Sequence, residues 1–180
     1  MNSPISLFIF DFNGVLVNDI PYHVKAYKKA LEEAGAHYTG DEIYPRIGSK
    51  TDELIKKALK DKGVDTDYRK ITKRKVELLK KYTKGKNLLF PNTEKALKRL
   101  LKNNKKLALL TSSIKEQIPD YFNLDFFEVA ITASDDFKGK PDPEAIFHIL
   151  EQTNTKKENS AYIGDFVKDM KTAKRPKLCP

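Results

Sequence analysis

Cysteine occurs once in the 180 residues, as Cys179 beside the last position, so no disulfide can form within the chain. No apolar run is long enough to cross a bilayer. The first residues lack the charged start and small-residue cleavage site of a secretory signal. Internal repeats and low-complexity segments are also missing. These absences exclude a disulfide-stapled secreted scaffold and a membrane partner, and a soluble cytoplasmic protein is expected. Nothing between Leu16 and Leu88 reads as a strand, so that stretch of roughly seventy residues is expected to be helical throughout.

What is present is charge and a modest core. Apolar residues make up 39% of the chain, which suits one domain or a compact domain with a small insertion. Lys and Arg number 34 against 25 Asp and Glu, a net charge of +9. The excess is greatest from Arg69 to Lys86, where nine basic residues face Glu77 alone. A polyanion such as nucleic acid is one reading of that run. Tyr68, Ile71, Leu78, Leu79 and Tyr82 recur at helical spacing, however, and make the lysines the wet side of an amphipathic helix; no nucleic-acid partner is expected.

Leu7-Phe8-Ile9-Phe10 reads as a strand buried on both faces, and it stops at Asp11-Phe12-Asn13-Gly14. An acid just past the carboxyl end of such a strand stands where open α/β sheets place ligands; a strand ending in a polar turn is the plainer reading. Leu107 to Leu110 is a second apolar run, ending in Thr111-Ser112-Ser113. Ala161-Tyr162-Ile163 is another, ending in Gly164-Asp165 with Asp169 four residues on. Lys140 stands in the proline-stiffened turn Lys138 to Pro143. Helices are expected over Pro21–Ala34, Thr51 to about Lys62 with Thr51 as cap, Asp67–Thr83, and after Asn92 or Thr93 as cap. Three more follow: one from Ser113 to near Phe122, one from Pro143 at its first position to Gln152, and one over Val167–Lys174. A short strand over Glu128–Thr132 completes the βα alternation, which implies a parallel sheet.

In order and spacing, the four stretches at Asp11, Thr111, Lys140 and Asp165 resemble the four signature motifs of the haloacid dehalogenase superfamily of phosphatases and phosphotransferases. The resemblance implies an α/β fold: a Rossmann-like parallel core from residues 1–16 and 87–180, with an all-helical cap at 17–86. It implies a Mg²⁺-dependent phosphatase acting on a small phosphorylated metabolite, as monomer or homodimer. Asp11 would be the nucleophile that becomes an aspartyl phosphate. Asp11, the main-chain carbonyl of Asn13 and Asp165 would hold Mg²⁺, with Asp169 bound directly or through water. Thr111 and the backbone at Ser112 would bind phosphoryl oxygens, and Lys140 would neutralise charge on the phosphorane and on Asp11. Taken alone, Thr111 is also a turn cap, Lys140 a solvated lysine, and Asp165 and Asp169 acids at a helix start.

Three departures from the family pattern stand out. Asn13 occupies the place of a second Asp that protonates the leaving alcohol and activates water; an amide can do neither, so slow turnover is expected, best on acyl or aryl phosphates. The insertion resembles the cap of phosphoglycolate phosphatase and β-phosphoglucomutase relatives, with His23, Arg46 and Lys50 as candidate substrate contacts. It lacks the Arg with which the mutase grips a second phosphate. A sugar-phosphate mutase and a catalytically impaired protein that binds phosphorylated ligands are the alternatives. A dehalogenase is not expected, since Lys140-Pro141 and Gly164-Asp165 mark the metal-dependent branch. Relatives continue to a further strand, whereas Pro176 to Pro180 argues against one, so a four-stranded sheet with its last motif at an unprotected edge is expected.

Overall fold

Alternate residues of the first apolar run face opposite sides of the sheet, and both sides are covered. In the computed structural model, which describes residues 5–176 and Leu178, Leu7–Phe10 forms β1. Leu7 and Ile9 join a core with Ala108, Leu110, Ile131 and Tyr162. Phe8 and Phe10 pack on the other side with Phe12, Leu107, Leu109 and Phe127. The remaining strands are β2 (Lys106–Leu110), β3 (Val129–Ile131) and β4 (Ser160–Ile163). They form a four-stranded sheet of order β3-β2-β1-β4, parallel throughout. Its first face packs on Ala145, Ile146 and Ile149 of a helix over Glu144–Gln152 and on Ala173 of another over Val167–Lys174. Leu97 and Leu100, from a helix over Thr93–Lys102, cover the second face.

The chain divides into two units. One comprises the described parts of Met1–Asn18 and Leu89–Pro180 and holds the sheet; the other is Asp19–Leu88. Within Asp19–Leu88 the described elements are all helical: α1 (Ile20–Glu33), α2 (Gly40–Ile43), α3 (Thr51–Asp61) and α4 (Tyr68–Thr83), with a 3-10 turn at Tyr44–Arg46. Ala26 and Ala30 of α1 meet Leu78 and Leu79 of α4 in their own small core. The helices of the sheet unit are then α5 (Thr93–Lys102), α6 (Glu144–Gln152) and α7 (Val167–Lys174). No helix among the described residues is long and apolar enough to cross a membrane.

Several local expectations fail for identifiable reasons. The segment after Ser113 is not an α-helix but a single 3-10 turn at Lys115–Gln117: Pro119 cannot donate to a helical ladder, and the Ser113 hydroxyl bonds elsewhere. Thr51 does not cap α3. Lys50 holds that position, and the Thr51 hydroxyl accepts from Tyr27 Oη at 3.1 Å. Asn92 precedes α5 in the left-handed region (φ 67°) without a side-chain cap bond, while Thr93 Oγ1 donates to the Leu16 carbonyl. Pro143 stands one residue before α6 rather than at its first position. Lys75 leaves the wet face of α4 and is fully buried. Of the run Pro176 to Pro180, Lys177, Cys179 and Pro180 lie outside the described residues.

Candidate active site

Parallel register brings the strand ends to one level. Phe10 pairs with Leu109 on one side and Ile163 on the other, and Asp11 N extends the ladder to the Ile163 carbonyl at 2.9 Å. Asp11 therefore emerges beside Gly164-Asp165, and Thr111 emerges on its other side. Asp11 is buried; its Oδ1 accepts from Phe12 N at 2.7 Å and its Oδ2 lies 3.1 Å from Lys140 Nζ. Lys140, 5% exposed, also donates to Asp169 Oδ1 at 2.8 Å. One ammonium thus bridges two carboxylates from different elements. Asp169 takes two more donors: Oδ1 also accepts from Tyr162 Oη at 3.1 Å, and Oδ2 from Phe166 N at 2.9 Å. The last contact caps α7, so Asp169 serves the helix start and the site together.

Asp11, Asp165 and Asp169 each offer one oxygen within 4.8 Å of the others. Two glycines make room for them. Gly14 has φ +77°, and a Cβ there would run into the Asp165 carboxylate; a Cβ on Gly164 would run into Asp169. An all-oxygen donor set fits a hard divalent cation. Without a cation Asp11 and Asp165 hold their protons more tightly than usual. Burial pushes Asp11 up to about 6, with Lys140 opposing and Asp169 adding to the rise. Loss of hydration raises Asp165 to about 7, reinforced by Asp11 and Asp169. Burial alone would lower Lys140, but the charges of Asp11, Tyr162 and Asp169 outweigh it and hold the ammonium well above its ordinary range.

These shifts set a pH dependence of stability. Carboxyls that bind protons more tightly when folded contribute stability that is complete below about pH 4 and is lost as pH rises through about 6 to 7. A cation bound by these carboxyls would replace those protons. Thermal melting should therefore show Mg²⁺ raising the transition temperature more at pH 7.5 than at pH 5. Equal shifts at both values would show that these carboxyls do not form the ion site.

Thr111 and Asn13 face each other across the strand ends. Thr111 Oγ1 accepts from Ser113 N at 3.1 Å, so it caps the turn, and lies 3.5 Å from Asn13 Oδ1. Ser113 Oγ donates to the same Asn13 oxygen at 2.6 Å. Ser112 is half-buried on the same turn. The remaining candidates lie in the helical unit. His23 is buried on α1, with Nε2 3.3 Å from Asp19 Oδ2 and Nδ1 3.2 Å from Lys75 Nζ. Burial and then the Lys75 charge lower its pKa, and burial lowers Lys75 to about 7. Arg46 pairs with Asp61 at 2.7 Å and donates from Nε to the Glu42 carbonyl. Lys50 is half-buried at the start of α3. Sequence reasoning missed Tyr162, whose only signal was a polar tip inside an apolar strand, and Ser113, whose partner lies 100 positions away.

The fold and the sequence both have known relatives. The model of the haloacid dehalogenase-like hydrolase family matches residues 8–178. A phosphoglycolate phosphatase of Psychrobacter arcticus is 27% identical over 177 residues, covering 91% of this chain and 76% of that protein. A phosphorylated carbohydrates phosphatase of Thermotoga maritima is 30% identical over 179 residues, covering 92% and 79%. Among solved structures, β-phosphoglucomutase of Clostridium difficile superposes with a TM-score of 0.85 at 20% identity, covering 97% of this chain and 82% of that one. CbbY of Rhodobacter sphaeroides, in complex with phosphate, gives 0.83 at 17% identity, with 97% and 84% covered. The two structures share the fold; the family match extends over the strand ends and the turn that carry Asp11, Thr111, Lys140, Asp165 and Asp169. This chain belongs to the haloacid dehalogenase-like hydrolases.

Proposed function

We propose that this hydrolase is a Mg²⁺-dependent phosphatase that removes phosphate from a small phosphorylated metabolite through an aspartyl phosphate on Asp11. The observation that carries the reading is the buried Lys140 ammonium held between Asp11 and Asp169, with Asp165 near enough to share an ion. The names of the two phosphatase relatives support it. Asp11, Asp165 and the main-chain carbonyl of Asn13 would hold the metal, with Asp169, occupied by three protein donors, contributing through water. When bound, the cation supplies charge neutralisation that lets a carboxylate approach a phosphate dianion.

The chain's own groups do the rest. Phe12 N fixes the Asp11 carboxylate by holding Oδ1. Asp11 attacks phosphorus, the bond from phosphorus to the ester oxygen breaks, and the electron pair leaves with the departing group. Lys140 stays protonated and balances charge on the phosphorane, while Thr111 and the backbone at Ser112 bind equatorial oxygens. Water then attacks the same phosphorus, the bond from phosphorus to the Asp11 oxygen breaks with its electron pair returning to the carboxylate, and the water's protons leave with phosphate and solvent. The helical unit, with His23 and Lys50, is assigned to substrate choice; Arg46, bound to Asp61, is less suited to grip a second phosphate as a mutase requires.

A second reading rests on Asn13: a protein that binds phosphorylated ligands, or is phosphorylated once at Asp11, without turnover. A panel of phosphorylated metabolites assayed with Mg²⁺ and with chelator separates the two. Multiple turnover with Mg²⁺, falling on the order of a thousandfold on chelation, is expected. Stoichiometric phosphorylation without free phosphate would establish the binding protein instead.

A further inference from the structure

Asp11 cannot hold Lys140 through a whole reaction cycle. Its carboxylate faces the ammonium at 3.1 Å, but on the phosphatase reading that charge is spent once an Asp11 oxygen bonds to phosphorus. The partner that remains is Asp169 Oδ1 at 2.8 Å. Lys140 stands in a turn outside the strand ladder, so its aim depends on how firmly Asp169 is held. Tyr162 supplies much of that hold. It is 1% exposed, it lies in β4 opposite Ile9 of β1, and it belongs to the core that contains Leu7, Ile146 and Ala173. From this fixed place its hydroxyl donates to Asp169 Oδ1 at 3.1 Å, while Phe166 N holds Oδ2 at 2.9 Å. The same ring lies beneath Lys140, with Nζ 5.4 Å from its centroid.

We infer that Tyr162 is a positioning residue whose hydroxyl fixes Asp169 Oδ1 and thereby keeps the Lys140 ammonium in place after the Asp11 charge has gone. This rests on the phosphatase reading of Asp11. An ammonium has three N–H groups; two meet Asp11 and Asp169, and the third is left for phosphoryl oxygens. Swinging about a loose carboxylate, Lys140 would present that N–H in many directions and lose its value as a preset charge. A carboxylate with both oxygens bonded to donors on the strand and the helix start does not swing. A phenol suits the task because it donates one hydrogen bond and adds no charge to a site that already gathers three carboxyls.

The test is a double-mutant cycle read beside thermal melting. Tyr162→Phe removes the hydroxyl, keeps the ring beneath Lys140 and leaves Asp169 two donors. It should melt within about 4 °C of the unsubstituted protein. On p-nitrophenyl phosphate with saturating Mg²⁺, kcat should fall about five- to tenfold, the scale of one hydrogen bond to a charged group, with KM within about twofold. On a Lys140→Met background, assayed with enzyme in excess so that slow rates are read, Tyr162→Phe should cost less than about twofold more. The Mg²⁺ concentration giving half of the melting shift should stay within about twofold, because the hydroxyl acts on Lys140 and not on the ion. An equal loss on the Lys140→Met background, a change confined to KM, no loss at all, or a weakened response to Mg²⁺ would overturn the inference. Such results would make Tyr162 a packing or ion-site residue and would leave the phosphatase reading intact. Undiminished turnover by Asp11→Asn would instead remove the reading beneath it, and the inference would fall with it.

Discussion

Asp11→Asn is expected to fold and to turn over no phosphate ester, with kcat reduced about 10⁴-fold or more, the scale on which loss of a nucleophile is felt. The substitution keeps the shape of the side chain and its acceptor oxygen toward Phe12 N. It also removes a buried carboxyl whose ionised form burial penalises. Lys140 is not orphaned, because Asp169 holds it at 2.8 Å from the other side. The melting temperature should therefore change far less than the rate. Phosphate release under single-turnover conditions, read beside thermal melting, checks both parts. A variant that hydrolyses at an appreciable rate would move the nucleophile elsewhere.

Asn13→Asp runs in the opposite direction. A carboxyl placed there can protonate an alkoxide and later take a proton from water, and such groups contribute about 10²- to 10⁴-fold. Turnover of an alkyl phosphate such as glycerol phosphate should rise by that order, while p-nitrophenyl phosphate, whose departing group needs no proton, should gain much less. The Ser113 hydroxyl, now 2.6 Å from the amide oxygen, would keep an acceptor in place, so the new carboxylate starts with one hydrogen bond already made. Unchanged turnover on the alkyl ester would show that another group already handles the proton or that proton transfer does not limit the rate.

The fold was readable where burial is periodic and local. β1 and β2 are short apolar runs closed by a polar residue and β4 is closed by Gly164-Asp165, and a parallel sheet fixes where such closures go. The placement of Asp11, Thr111 and Asp165 at the strand ends follows from that pattern, whereas their roles come from the resemblance to the family. Lys140 was readable only from the prolines after it, since 34 basic residues hide one buried lysine among many wet ones. Lys75 shows the opposite failure. Its helix repeats lysines so densely that periodicity assigns it to solvent, yet its side chain is buried with Nζ 3.2 Å from Nδ1 of a histidine 52 positions away. The segment after Ser113 carried a serine suited to capping, but a distant amide claimed that hydroxyl, and Pro119 stopped the turn from growing. Contacts between positions a hundred apart leave no trace in local pattern, and Ser113 with Asn13 is such a pair.

The sheet order also sets how firmly the site is assembled. β4 precedes Asp165 and Asp169, and among the described residues its ladder runs to β1 alone. Outer strands fray before inner ones, because they open by breaking one ladder instead of two. Fraying of β4 would carry two acids away from the third and loosen the Lys140 clamp in the same motion. The lifetime of a competent site is therefore tied to an outer strand of the sheet, however well packed its centre.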